Sequence, residues 1–460
     1  MAQPFLPQIQ RVHFVGIGGS GMSPLAEILH SQGYTVTGSD VNESDNVARM
    51  RRLGISVQIP QCAENVGDAE LVVYTAAVRA DNPELQAAKT RNIPLMERAK
   101  LLGLLSRGFK NTVAVAGTHG KTTTSSMVSQ ILLQAGRDPS VFIGGRLPLI
   151  DANGHAGESD TFVCEACEFQ DHYLEMQPAI SIILNVDADH LDYFGSLDGV
   201  VASFRQFAKQ TTNTLIVNAE DPETLRAVEN LSHANIVHYG FGDNCDWQAR
   251  NVVEEDGAFG YYELYHNGEK LCDIRLGVPG RHNVLNSLGA AAAAHLCGAT
   301  PEEIATGLRC FTGAGRRFEM LGTVEGVTLI DDYAHHPTEI AATLRTAAKL
   351  PYKHVWAVFQ PFTFSRTARH LKEFAEALSL ADTVIVSDIM GSRETNEWNV
   401  SSKQITDQID GAHYLPTFEE ISRFVVENAK EGDLVITMGG GDVYKCARRI
   451  RELLAEKGVQ

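Results

Sequence analysis

Positive charge is scarce in this chain: 39 Lys and Arg stand against 57 Asp and Glu, a formal net charge of −18. That balance excludes general affinity for nucleic acid or anionic lipid, since both need a positive field. Local cations and backbone N–H groups can still hold an anionic substrate. Long apolar runs are also missing, and none approaches the roughly 18–20 residues that a membrane-spanning helix needs. Met1 to Arg11 lack the basic-then-apolar layout of a secretion signal. The sequence thus predicts a cytoplasmic chain with no membrane insertion and no nucleic-acid partner. The eight cysteines are scattered, at 62, 164, 167, 245, 272, 297, 310 and 446. In a reducing compartment they read mostly as buried thiols, and the single C-x-x-C at Cys164 and Cys167 lacks the second pair that zinc would call for. Sequence repeats and low-complexity tracts are absent.

What remains is an ordinary globular composition, 44% hydrophobic and 21% charged, over 460 residues, enough for two to four domains. A strand-then-helix rhythm starts three times. The first unit has strands at Val12–Val15, Tyr34–Thr37, Ile55–Val57 and Leu71–Tyr74, and breaks near Arg107–Asn111. The second has strands at Thr112–Ala116, Thr161–Cys164, Ile180–Leu184 and Thr214–Val217, and a helix at Lys121–Gln134. It continues with a hairpin insert over Trp247–Leu276, turning at His266-Asn267-Gly268, and a helix over Asn286–His295. A second break falls at Gly313–Arg317. The third has strands at Val327–Ile330, His354–Phe359, Thr383–Ser387 and Leu434–Thr437, with helices at Thr338–Lys349, Ala368–Leu378 and Val443–Glu456. Alternation of this kind predicts an α/β protein with parallel sheets covered by helices.

Two glycine-rich turns carry the chemistry. After the first strand comes G-I-G-G-S-G, Gly16 to Gly21, with Asp40 closing the second strand. Alone this is a dinucleotide fingerprint and suggests an NAD(P)-dependent oxidoreductase; the same turn cradles any pyrophosphate. After the strand Thr112–Ala116 comes G-T-H-G-K-T-T-T, Gly117 to Thr124. Its glycines turn backbone N–H groups toward an anion, and the helix start adds a partial positive charge. Lys121 suits the β- and γ-phosphates, and the Thr122 hydroxyl suits magnesium. The strict phosphate-loop spelling is not met, because Val115 stands where the first glycine belongs.

Several motifs in order make the chain similar to the Mur ligases of peptidoglycan precursor synthesis. They are V-G-I-G-G-S-G-M at the start, D-N-P-E-L (Asp81–Leu85), E-R-A-K-L-L (Glu97–Leu102) and G-T-H-G-K-T-T-T. R-H-N-V-L-N (Arg281–Asn286), G-R-R-F-E (Gly315–Glu319), D-D-Y-A-H-H-P-T-E (Asp331–Glu339), F-Q-P-F-T-F-S-R-T (Phe359–Thr367) and G-G-G-D (Gly439–Asp442) follow. The resemblance implies three domains: a Rossmann-like UDP-sugar-binding domain over 1–110, a central P-loop ATPase-like domain over 111–321, and a C-terminal Rossmann-like α/β domain over 322–460. Among the branches, G-T-H-G-K-T-T-T resembles the one acting on UDP-N-acetylmuramate and L-alanine with ATP and Mg2+, as a monomer or homodimer. A murein-recycling ligase that adds a peptide shares this spelling and stays open. So does a regulatory nucleotide-binding protein without activity.

The resemblance also implies roles. Gly117, Thr118, His119, Gly120, Lys121, Thr122 and Thr123 would hold the ATP phosphates. His282, Asn283 and Asn286 would hold the adenine end, and Asp332 the ribose or phosphate region. Glu165 and His190, with Thr122, would bind metal, and Arg317 would reach the γ-phosphate. Gly16, Gly18, Gly19, Ser20, Gly21, Met22, Asp40, Thr75 and Ala76 would take the UDP-sugar. Tyr333, His335 and His336 would shape the amino-acid pocket, with His335 counted among the catalytic groups, and Arg366 would pair with the amino acid's carboxylate. The chain departs from the family at E-A-C-E-F-Q-D, where E-A-D-E-S-D is expected. Cys167 replaces an acidic residue there, so Glu168 and Asp171 are left outside the expected site.

Overall fold

The computed structural model describes residues 6, 8–232, 235–255, 259–392 and 394–458. Most of the N-terminal segment read for a signal, and residues 256–258 of the hairpin insert, lie outside them. The first sheet has five parallel strands in the order Ser56–Gln58, Thr35–Ser39, Arg11–Val15, Leu71–Tyr74, Leu95–Glu97. Strand order reverses on either side of Arg11–Val15. This is the switch point at which an open α/β sheet leaves a crevice beyond its carboxyl ends, and the Gly16–Gly21 turn leaves from there. Phe14, Leu25, Ile28 and Val36 pack in its core.

The second sheet has ten strands, with Asn111–Ala116 between Ile180–Ile183 and Thr161–Glu165. Burial on both faces explains why these strands read as short apolar runs. The helix Lys121–Gln134 follows the strand Asn111–Ala116 after one turn. Strands Ser140–Leu147, Ala152–His155 and Ile236–Gly240 were not expected from the sequence; Gly144-Gly145 interrupts the apolar pattern of the first. The insert is three strands, Trp247–Glu255, Phe259–His266 and Glu269–Pro279. Asn267 (φ 49°) and Gly268 (φ 82°) make the tight turn between the last two, as the Asn-Gly pair dictates.

At one edge of this sheet, Ala152–His155 packs on the helix Ser23–Ser31 of the first. The Asn153 amide donates to the Ser20 carbonyl, and Arg49 Nη2 reaches the Gly154 carbonyl at 3.5 Å. A Cβ at Gly154 would lie 2.4 Å from Pro24 Cβ, so only glycine permits the approach.

The third sheet has six strands in the order Glu319–Val324, Val327–Asp332, Asp433–Met438, His354–Phe359, Thr383–Val386, His413–Tyr414. The first is antiparallel to its neighbour and was not expected. The single helix expected over Ala368–Leu378 is instead two, Phe364–Arg369 and Leu371–Leu378, meeting at His370. Thr363 caps the first by accepting from the Arg366 N–H, which starts helix earlier than apolar periodicity indicates. The chain divides into two compact units. Met1–Val252, Tyr262–Arg275 and Val284–Phe311 hold the first sheet and most of the second; Val253–Tyr261, Leu276–Asn283 and Thr312–Gln460 hold the third sheet and the remaining parts of the insert strands.

Candidate active site

The phosphate loop is built by left-handed glycines and latched by a neighbouring strand end. Gly117 and Gly120 have φ of +146° and +85°, conformations that side chains resist. Asn185, just past Ile180–Ile183, accepts from the Thr118 N–H at 3.0 Å through its carbonyl and from the His119 N–H at 2.8 Å through Oδ1. Its amide donates back to the His119 carbonyl at 3.0 Å. The Asp187 N–H donates to Thr118 Oγ1 at 2.9 Å, and His119 Nε2 lies 3.1 Å from Asp187 Oδ2. Asn286 comes close as well, its Oδ1 lying 2.8 Å from where a Gly120 Cβ would stand.

Lys121 opens the helix and folds back over its own loop. Its Nζ donates to the carbonyls of Gly117 (2.5 Å) and Thr118 (3.0 Å) and pairs with the Glu168 carboxylate at 2.9 Å. Burial alone would depress the ammonium, but the Glu168 carboxylate overrides it and holds Lys121 above its usual range.

Beside the lysine, Thr122 and Glu165 converge. A Cβ on Gly144 would meet Glu165 Oε2 at 2.8 Å and Thr122 Oγ1 at 3.0 Å, so both oxygens border one small space. The Gly144 N–H and the Ser125 hydroxyl donate to Glu165 Oε1 at 2.5 and 3.3 Å. A hydroxyl and a carboxylate are the hard oxygen donors that Mg2+ prefers, so the residues fit that ion. Thr123 is half-buried on the same turn. His190 has φ of 52° at the start of a short helix, and its ring lies edge-on to Phe169 at 4.9 Å. The C-x-x-C divides: the Cys164 thiol contacts the Val113 carbonyl. Burial and Glu168 push the Cys167 thiol up, against the pull of Lys121.

In the glycine turn of the first sheet, Gly16 and Ile17 donate to the Ser39 carbonyl, both at 2.9 Å. Asp40 Oδ2 accepts from the Gly18 N–H at 2.9 Å, so the acid expected on a ribose also braces the turn. A Cβ at Gly18 would meet Val47, Asp40 and Ser44 within 2.9 Å, and one at Gly21 would meet Arg98 Nη1 at 2.7 Å. Gly19 and Ser20 are exposed, and Met22 is buried beneath them. Thr75 Oγ1 accepts from the Ala77 N–H at 3.0 Å, leaving Ala76 exposed at the tip. Behind the turn, buried Glu84 of D-N-P-E-L accepts from the Ser39 hydroxyl at 2.5 Å.

The second compact unit gathers the other expected residues. Arg317 lies over the Tyr333 ring at 4.8 Å. Asp332 is buried; its oxygens accept from the N–H groups of Phe318 and Ala334, both at 2.7 Å. Burial pushes its carboxyl up to about 6 against the pull of Arg317. His335 Nδ1 lies 2.9 Å from the Tyr333 carbonyl. His336 caps the helix Pro337–Ala347 and packs edge-on against His370 at 5.2 Å. Arg366 sits on the short helix Phe364–Arg369. His282 and Asn283 open the helix Arg281–Leu296, with Asn283 Nδ2 donating to the Pro279 carbonyl at 2.6 Å.

Sequence reasoning missed Asn185, Asp187 and Arg316, and it set Glu168 aside because Cys167 breaks the family pattern beside it. Arg316 (φ 59°) donates to Asp331 at 2.9 Å and to the carbonyls of Gly439 and Gly441 at 2.8 Å each. It thereby ties G-R-R-F-E to D-D-Y-A and G-G-G-D, and the Arg-Arg pair was the available signal.

A glycine turn at one sheet's switch point, with a lysine-bearing phosphate loop on a buried strand of the next, defines a class: an α/β protein with two phosphate-binding turns on successive sheets. Three domain models match in order: "Mur ligase family, catalytic domain" over residues 11–110, "Mur ligase middle domain" over 115–294 and "Mur ligase, glutamate ligase domain" over 316–441. The UDP-N-acetylmuramate–L-alanine ligase of Caldanaerobacter subterraneus subsp. tengcongensis is 44% identical over 97% of this chain and 98% of its own. That of Agathobacter rectalis is 46% identical over 94% and 96%. The crystal structure of the Thermotoga maritima UDP-N-acetylmuramate–alanine ligase superposes with a TM-score of 0.82 at 30% identity, covering 98% of this chain and all of its own. The chain belongs to the Mur ligase family, whose three-domain α/β architecture it shares.

Proposed function

We infer that this chain joins L-alanine to the lactyl carboxylate of UDP-N-acetylmuramate with ATP as phosphate donor, a cytoplasmic step of peptidoglycan precursor synthesis. The observation that carries the reading is Lys121 at the helix start, with Thr122 and Glu165 converging beside it, in a chain whose near-full-length relatives bear that name.

A carboxylate is a poor electrophile. Transfer of the γ-phosphoryl group to its oxygen creates an acyl phosphate with a good leaving group. The alanine amine attacks the acyl carbon, and phosphate departs through a tetrahedral intermediate. Such chemistry calls for positioning and cations around the phosphates more than for a nucleophilic side chain. Lys121 and the loop N–H groups hold the phosphates, and Arg317 stabilises charge on the γ-phosphate. Thr122, Glu165 and His190 would hold magnesium, which neutralises phosphate charge and polarises the phosphoryl oxygen. His282, Asn283, Asn286 and Asp332 hold the nucleoside end. Tyr333, His335 and His336 line the amine site, and Arg366 pairs with the alanine carboxylate. The turn Gly16–Gly21 takes the UDP pyrophosphate, with Asp40, Thr75 and Ala76 around it. This assigns UDP-sugar binding to 1–110, ATP to 111–321, and the amino acid with further ATP contacts to 322–460.

The test is phosphate release from Mg–ATP with UDP-N-acetylmuramate and single L-amino acids or a tripeptide. Alanine should stimulate turnover most. Stimulation by the tripeptide alone would support a recycling ligase, and no alanine-dependent turnover would overturn the assignment.

A further inference from the structure

We propose that Glu168 is a positioning residue for nucleotide turnover: it holds Lys121 when the loop is empty, competes with the phosphates for it, and sets how fast nucleotide leaves. The inference rests on the loop being an ATP site and goes beyond that reading.

An ammonium has three donors. At Lys121 they are taken by the carbonyls of Gly117 and Thr118 and by the Glu168 carboxylate, whose two oxygens lie 2.9 and 3.1 Å from Nζ. The carbonyls belong to the loop itself and are neutral. The carboxylate comes from a different element, three residues beyond the strand Thr161–Glu165. Its side chain is only 4% exposed and that of the lysine 15%, so water screens the pair poorly.

A buried carboxylate stripped of its cation is strongly unfavourable. An entering phosphate therefore displaces an anion already in place. Its apparent affinity falls by the fraction of loops in which the lysine is available. When ADP departs, the carboxylate recaptures the ammonium, so the same contact that weakens binding speeds release.

The experiment uses the full chain carrying Glu168→Gln, titrated calorimetrically with Mg–ATP and Mg–ADP alongside steady-state kinetics. Both nucleotides should bind about three- to tenfold tighter, with KM for ATP and kcat falling together, because a charge-assisted competitor has been neutralised. KM for UDP-N-acetylmuramate should hold. A Glu168 that merely supports the fold predicts the opposite sign, weaker nucleotide and a higher KM. In a Lys121→Ala background the same substitution should leave nucleotide affinity unchanged, since the effect runs through the ammonium. Weaker or unchanged binding by E168Q, or equal tightening without Lys121, overturns the proposal. Should E168Q not fold, Glu168→Asp draws the charge back by one methylene and should tighten binding in the same direction; no tightening overturns it. Wild type separates the two readings. If it neither binds Mg–ATP nor turns over, the ligase assignment falls, whereas normal turnover without tightening in the variants removes only the role of Glu168.

Discussion

Asp332 is a carboxyl group whose surroundings change its proton balance. Its value rises from 3.8 to about 6 on burial. Between those values the folded chain keeps a proton that the unfolded chain has released, so stability from this group is full below about pH 4 and is lost as pH rises through 6. Asp332→Asn removes the titration. The melting temperature of the variant relative to wild type should therefore climb from pH 4 to 6.5 and then level off; a constant difference across that range would refute the assignment. At this scale the sequence pointed to Lys121, Thr122 and Glu165, because each sits at a strand end or helix start, and the structure brings Thr122 and Glu165 to the border of one space. It could not disclose their partners. Asn185 and Glu168 lie 66 and 47 positions from the loop residues they bond, and no local pattern marks such pairs.

Among elements, the strand Ser140–Leu147 has the largest unanticipated role. Gly144 within it leaves the space that Thr122 and Glu165 border. Gly144→Ala would place a methyl group between those oxygens. Displacing them by even 1 Å should lower kcat by about 10²-fold and raise the magnesium needed for half-maximal rate. Wild-type magnesium dependence in that variant would remove Gly144 from the site. The strand was illegible because its Gly-Gly-Arg centre looks like a loop, although it pairs on both sides, with Thr161–Glu165 and Ala152–His155. The Lys121–Gln134 helix and the His354–Phe359 strand were legible to the residue, each being bounded by glycine or polar turns. The break at His370 was not, since apolar spacing continues across it while the Thr363 cap starts a separate helix.

Over the whole molecule, the glycine turn and the phosphate loop belong to different sheets, so their ligands should separate by mutation. Lys121→Ala should abolish turnover and leave UDP-N-acetylmuramate binding within about threefold of wild type, uniform binding being untouched when a transition-state contact is lost. Gly18→Ala, whose Cβ would strike Val47, Asp40 and Ser44, should instead weaken UDP-sugar binding. Equal loss of sugar affinity in both variants, measured by calorimetry, would contradict the assignment of the two sites. The three α/β rhythms were readable because glycine turns restart the strand–helix pattern at each sheet. The grouping of the first sheet with most of the second into one compact unit was not, because it depends on contacts such as Asn153 with Ser20 that no composition reveals.

That contact bears on how such enzymes can be recombined. Exchanging residues 11–110 for those of a relative looks like a clean swap of one sheet with its helices. Yet the helix Ser23–Ser31 rests on Gly154, where a Cβ would lie 2.4 Å from Pro24. The transplantable piece is therefore larger than the sheet: a hybrid should carry Ala152–His155 from the same parent, although that strand lies some forty residues beyond the apparent junction.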